Sequence, residues 1–191
     1  MASGRPAVFL DRDGTLIEEV GYLERIERLE FFPYSVDAVR LLNRINFAVV
    51  VVTNQAGVAR GMFDEAFVNE VHRRIASVLE AGGAHVDGFY YCPHHPEGSV
   101  AEYRRACECR KPQPGLFSKA ATELRLDLTR SIVVGDRWHD LEAGAAVEAR
   151  GVLVRTVYGR EQEQVPPPAG VRPAAVVDNL IAATSWILRS C

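Results

Sequence analysis

The sequence predicts an α/β fold, a three-layer parallel sheet of Rossmann-like type with helices on both faces. Three observations carry this. Short apolar runs alternate with stretches of helical period along the chain, the pattern of βα units. The run at 47–52, Phe-Ala-Val-Val-Val-Val, is almost purely apolar and β-branched, as a strand buried on both faces requires. Several runs also end in small or acidic residues, at the carboxyl ends where such sheets bind ligands.

Residues 7–10 form the first strand, which ends in Asp11-Arg12-Asp13-Gly14-Thr15. Residues 16–34 show no sustained helical period and read as a short flap over that strand end. Val36, Val39, Leu42 and Ile45 fall near helical spacing behind Ser35, a candidate N-cap, giving a helix to about Asn46. The second strand, 47–52, runs into Thr53-Asn54-Gln55-Ala56-Gly57. After Asp64, the positions Phe67, Val71, Ile75, Val78 and Leu79 make an amphipathic helix that stops at Gly82-Gly83.

A third strand at 86–91 opens a long loop, 92–112, and Pro114 starts a helix to about Arg125. The fourth strand, 131–134, ends in Gly135-Asp136-Arg137-Trp138-His139-Asp140. A helix through Leu141, Ala145 and Val147 follows, then a fifth strand at 152–155. Residues 159–173, rich in proline and glycine, read as loop; a short strand at 174–177 and a helix at 178–188 complete the pattern. There is no internal repeat, so the 191 residues are expected to form one domain with no large cap.

Composition narrows the function classes. Hydrophobic residues at 48% and charged residues at 25% suit a globular chain with a real core. A net charge of −3 supplies no general basic field for nucleic acid or an anionic membrane, so any anionic ligand must be held by local charge. No apolar run approaches the ~18 residues of a membrane span, and no leader pattern precedes the first strand. A cytoplasmic monomer acting on a small molecule is expected, with neither nucleic acid nor membrane as partner. Cys92, Cys107 and Cys109 cluster while Cys191 stands apart, a distribution that suggests metal rather than a disulfide framework.

The polar clusters carry the chemistry. Asp11 and Asp13 would repel one another at a buried strand end unless a cation or a proton compensates them. Thr53 and Asn54, Asp136 and Asp140, and Lys111 at the end of the long loop can all reach the same sheet edge. Three carboxylates, a lysine and a threonine around one point suit attack of a carboxylate on a phosphate. Mg²⁺ on Asp11, Asp136 and the Asp13 carbonyl would neutralise the two anions. Lys111 and Thr53 would stabilise the transferring group, while Asp13 would move the proton. Cys92-x-His94 and Cys107-x-Cys109, with twelve residues between, offer three thiolates and an imidazole for a closed structural Zn²⁺ centre; His95 is an alternative ligand.

Asp11-Arg-Asp-Gly-Thr, Thr53-Asn-Gln, Arg110-Lys-Pro and Gly135-Asp-Arg-Trp-His-Asp140 resemble, in order and spacing, the four motifs of the haloacid dehalogenase superfamily of phosphatases. Thr53 to Gly61 and the Cys/His loop resemble its branch of heptose bisphosphate and histidinol-phosphate phosphatases. The resemblance covers nearly the whole chain. It implies a Mg²⁺-dependent phosphatase working through an aspartyl-phosphate, with a phosphorylated heptose as substrate and His94 as the fourth zinc ligand. It also implies substrate contacts from Arg12, Asn54, Gln55, Arg60 and Arg110, and from Glu19, Val20, Gly21 and Tyr22 in the flap. Arg137 stands where the heptose enzymes often carry lysine. Histidinol-phosphate phosphatase, and a phospho-aspartate signalling receiver, are the competing readings.

Overall fold

The computed structural model describes residues 4–190, so Cys191 lies outside the described residues. Six parallel strands form one sheet: β1 (Arg5–Leu10), β2 (Ala48–Asn54), β3 (Gly88–Cys92), β4 (Leu126–Gly135), β5 (Arg150–Val154) and β6 (Pro173–Val177). Their spatial order is β3-β2-β1-β4-β5-β6, so the chain runs outward from β1 in one direction, returns, and runs outward in the other. The strand order therefore reverses at the β1–β4 junction, the place where open α/β sheets bind ligands.

Strand alternation divides the core between two layers. Val8 and Leu10 join Val49, Val51, Ile132 and Val134 under helices α1 (Ser35–Arg44) and α3 (Glu65–Ala81) and the last helix, Leu180–Ser190. Ala7 and Phe9 face the other way with Val50, Val52 and Val133, beneath a helix over Gly115–Leu124. There the Phe9 and Phe117 rings pack at a centroid distance of 5.0 Å. In chain order these and the remaining helices are α2 (Ala56–Ala59), α4 (Gly115–Leu124), α5 (Trp138–Ala145), α6 (Gly159–Glu163) and α7 (Leu180–Ser190). Among the described residues no helix is long and apolar enough to cross a membrane.

The structure differs from the sequence expectation in specific ways. Ser35 begins α1 rather than capping it, and its hydroxyl donates to the Leu16 carbonyl at 2.6 Å, tying the flap to the helix. β3 starts at Gly88, after the Asp87 carboxylate has taken the Val49 amide at 2.8 Å and the Arg5 guanidinium at 2.9 Å. β4 starts five residues early, at Leu126, because Arg125 turns the chain at φ 56° directly out of α4. Its first residues pair with Arg5 and Pro6 before the register shifts, where the Ala7 amide finds the Ser131 hydroxyl at 2.9 Å. The flap contains a single 3₁₀ turn, Ile26–Arg28, and two isolated bridges through Ile17. The proline-rich 159–173 loop opens with α6.

α3 also buries a histidine. His72 is 6% exposed and stacks on Phe89 at 4.7 Å. Burial, then the adjacent Arg12 cation, pushes its pKa down to about 3. Between that value and the ordinary histidine range the unfolded chain binds the extra proton, so stability falls as pH drops. The loss from this group is about 2 kcal/mol at pH 5 relative to pH 8. Urea unfolding of His72→Phe at the two pH values checks it: the variant is expected to lose less stability at pH 5 than the parent. An unchanged difference would show that His72 is not the group responsible.

Candidate active site

β1, β2 and β4 are neighbours, so Asp11, Thr53 and Asp136 reach one point at their carboxyl ends. Asp11 follows β1 directly, its amide bonded to the Val134 carbonyl of β4 at 3.0 Å. Gly14 then turns the chain at φ +87°, and a Cβ there would collide with the Asp136 carboxylate. Glycine is thus needed both for the conformation and for the approach of Asp136.

Lys111 is delivered from the long loop by Asn54. The Asn54 side-chain amide accepts from the Lys111 amide at 3.0 Å and donates to the Lys111 carbonyl at 3.1 Å. The buried Lys111 ammonium then lies 2.6 Å from Asp11, 2.6 Å from Asp140 and 2.7 Å from the Val52 carbonyl. Burial disfavours that charge, but Asp11 and Asp140 more than offset the penalty and hold the lysine above its ordinary pKa. Burial works on Asp140 too, where Lys111 and then His139 overcome it and keep the carboxylate ionised. Asp140 is therefore committed to Lys111, and its second oxygen accepts from the Arg137 amide at 3.1 Å at the start of α5.

Asp11 and Asp136 are in a different state. Burial pushes Asp11 up to about 6, against the pull of Lys111 and reinforced by Asp140 and Asp13. Burial, then Asp11 and Asp140, pushes Asp136 up to about 8. One Asp136 oxygen accepts from the Tyr158 amide at 3.3 Å; the other, Oδ1, is buried with no hydrogen-bond partner. Asp11, Asp136 and Asp140 each bring a carboxylate oxygen within 4.8 Å of the others, and with Asp136 Oδ1 unpartnered the group fits a hard divalent cation.

Asp13 sits at the edge of this group. Arg12 holds it with a fork, Nε to Oδ2 and Nη2 to Oδ1, both 3.0 Å. Gln55 donates to Oδ2 at 2.9 Å and Thr53 at 3.4 Å. A cavity of about 330 Å³ opens above, walled by Asp11, Asp13 and Thr53, with Glu19, Gly21 and Tyr22 from the flap. Arg60, Arg110 and Arg137 also line it, so carboxylate and guanidinium groups share one space. Val20 instead packs against the core beneath the flap. Arg12 also lines the cavity, 2% exposed and with its guanidinium on Asp13. Phe63, His95, His139 and Tyr158 also line the cavity. Of these, no motif marks Tyr158, whose ring lies under Arg137 at 3.5 Å.

The long loop carries a second constellation. The Cys92, Cys107 and Cys109 sulfurs are 3.0–3.5 Å apart, too far for a disulfide, with His94 Nδ1 3.3 Å from Cys109 and 3.7 Å from Cys92. A tetrahedron with ~2.3 Å metal–sulfur bonds has an edge of about 3.8 Å, so modest expansion accommodates an ion. Burial pushes the Cys92 thiol up, and a bound metal would offset this by displacing the proton. His95 lies outside the cluster; its Nδ1 accepts from the Glu97 amide at 3.1 Å.

Comparisons with known proteins show the family. A family model described as polynucleotide kinase 3 phosphatase matches residues 7–145, and one described as HAD-hydrolase-like matches 108–183. The chain is 47% identical to D-glycero-beta-D-manno-heptose-1,7-bisphosphate 7-phosphatase of Escherichia coli O6:H1, over 82% of this chain and 83% of that one. It is 45% identical to the Yersinia pestis protein of the same name, over 82% and 84%. Among solved structures, D,D-heptose 1,7-bisphosphate phosphatase from B. bronchiseptica, complexed with magnesium and phosphate, aligns with a TM-score of 0.85 at 32% identity, covering 97% of this chain and 99% of that one. The chain belongs to the haloacid dehalogenase-like phosphatases, within the family that the polynucleotide kinase 3 phosphatase model describes and together with the D-glycero-β-D-manno-heptose-1,7-bisphosphate 7-phosphatases.

Proposed function

We propose that this protein removes the 7-phosphate of D-glycero-β-D-manno-heptose 1,7-bisphosphate through an aspartyl-phosphate on Asp11. The observation that carries the reading is the lining of the cavity, where Asp11 and Asp13 share one space with Arg12, Arg60, Arg110 and Arg137. A sugar bisphosphate needs both: a nucleophile at one end and fixed positive charge for the phosphate that does not react. A cavity of about 330 Å³ suits a small ester better than a polynucleotide, and the net charge of −3 also disfavours nucleic acid.

Mg²⁺ would be held by Asp11, Asp136 and the Asp13 main-chain carbonyl, and when bound supplies the charge that lets an anionic carboxylate approach an anionic phosphate. The Asp11 oxygen forms the new P–O bond as the bond to the sugar C7 oxygen breaks. Asp13 protonates that leaving oxygen. It then takes a proton from water as the water attacks the aspartyl-phosphate, which restores Asp11 and releases phosphate. Lys111, already 2.6 Å from Asp11, and Thr53 balance charge on the phosphoryl oxygens. Arg110 and Arg137 are the contacts proposed for the 1-phosphate, with Asn54 acting mainly through its grip on Lys111.

The test is regiochemical. Phosphorus NMR of the reaction with Mg²⁺ is expected to show loss of the 7-phosphate with the 1-phosphate retained; release of the 1-phosphate, or of none, would overturn the assignment. Zn²⁺ is proposed for the cysteine cluster, stiffening the loop that brings Arg110 and Lys111 to the cavity. Metal analysis of chelator-free protein is expected to find about one zinc per chain, and a value near zero would exclude it.

A further inference from the structure

We propose that Arg12 is a positioning residue that holds the proton-transfer carboxylate of Asp13 in its working orientation, and that His72 holds Arg12 from behind. The proposal deepens the reading above and rests on it for the role of Asp13.

Arg12 is the most buried of the four arginines that line the cavity. Its side chain is 3% exposed, and its two bonds to Asp13 form a planar fork that fixes a carboxylate in angle as well as distance. Both residues line the cavity, but Asp13 is 20% exposed, so the acid is far more open to it than its clamp. With Arg12 Nε, Gln55 Nε2 and Thr53 Oγ1 all directed at Oδ2, that oxygen is filled. Oδ1 accepts only Arg12 Nη2 and retains capacity for one more partner, the proton in transit. The arrangement thus assigns the two oxygens different work.

The third guanidinium nitrogen, Nη1, meets His72 Nε2 at 3.5 Å. Two cations cannot face one another there without penalty, and the imidazole is buried between Phe89 at 4.7 Å and Tyr91 at 5.6 Å. A neutral ring with Nε2 as acceptor satisfies the contact. The chain of support then runs from α3 through His72 and Arg12 to Asp13, and none of it needs the substrate.

A positioning role for the acid predicts a leaving-group signature. The parameter kcat/KM reports steps up to formation of the aspartyl-phosphate, where Asp13 protonates the departing oxygen. A primary alkoxide needs that proton; p-nitrophenolate does not. Arg12→Lys keeps the charge and loses the fork. With Mg²⁺ present, its kcat/KM on heptose 1,7-bisphosphate is expected to fall roughly 30- to 100-fold, while that on p-nitrophenyl phosphate falls less than about fivefold. Equal losses on both esters, no loss on either, or a loss on the bisphosphate that disappears on heptose 7-phosphate, where no second phosphate is present, would overturn the inference, since a structural role or a grip on the non-reacting phosphate would then account for it. If near-UV circular dichroism shows Arg12→Lys unfolded, Gln55→Leu carries the same test through the second donor to Oδ2, with the same two outcomes. Parent protein inert on both esters would instead overturn the phosphatase reading together with this one.

Discussion

Asp11→Asn is expected to lower phosphate release by at least about 10³-fold while leaving the protein folded. The amide preserves the shape and can still accept from Lys111, but it cannot form the acyl-phosphate. Stability should not suffer. Because the folded protein holds the Asp11 proton up to about pH 6, this carboxyl costs stability progressively as pH rises from the ordinary aspartate range through that value. Above pH 6 the asparagine variant is therefore expected to be at least as stable as the parent in metal-free buffer. Single-turnover phosphate release and thermal melting check the two halves separately; activity near that of the parent would remove Asp11 as nucleophile.

Lys111→Met should be the most damaging single change to stability in the site. The ammonium lies between Asp11, at the cavity, and the fully buried Asp140, and removing it leaves Asp140 without its main compensating charge. Breaking a buried pair from one side costs about 3–5 kcal/mol, and loss of a charge at the transferring phosphoryl group adds a drop in turnover of roughly 10²–10³-fold. Urea unfolding and kcat measure these. The double variant Lys111→Met/Asp140→Leu separates them: it is expected to regain much of the stability, because an apolar pair replaces the orphaned charge, yet none of the turnover. A double variant no more stable than Lys111→Met would show that the ion pair is not what Lys111 contributes to the fold.

Much of this site could be read along the chain because its parts are strand ends. The apolar runs locate the strands, and Asp11, Thr53 and Asp136 stand where those runs stop, so their meeting needs only a parallel sheet. Lys111 was also legible, from the loop that must return it to the same edge. What the sequence could not show is direction. Arg12, between two functional aspartates, reads as a ligand contact, but its fork on Asp13 depends on a histidine sixty residues away in α3. Asn54 reads the same way until its amide is seen bridging the Lys111 backbone. Val20 lies in a flap with no period, so nothing in the pattern tells which side faces the core. The early start of β4 was hidden because Leu126-Asp-Leu-Thr-Arg130 is half polar, and only its pairing with Arg5 and Pro6 makes it a strand. Tyr158 and His139 reach the cavity through tertiary approach alone.

The central claim is that this cavity is built for a sugar carrying two phosphates. Steady-state kcat/KM with Mg²⁺, measured on both anomers of heptose 1,7-bisphosphate, on fructose 1,6-bisphosphate and on histidinol phosphate, tests it most directly. The account predicts a heptose bisphosphate as the best substrate, ahead of histidinol phosphate by about 100-fold or more, the worth of a guanidinium–phosphate contact made in the transition state. Equal or greater efficiency on histidinol phosphate, which has no second phosphate for the arginines to hold, would contradict it.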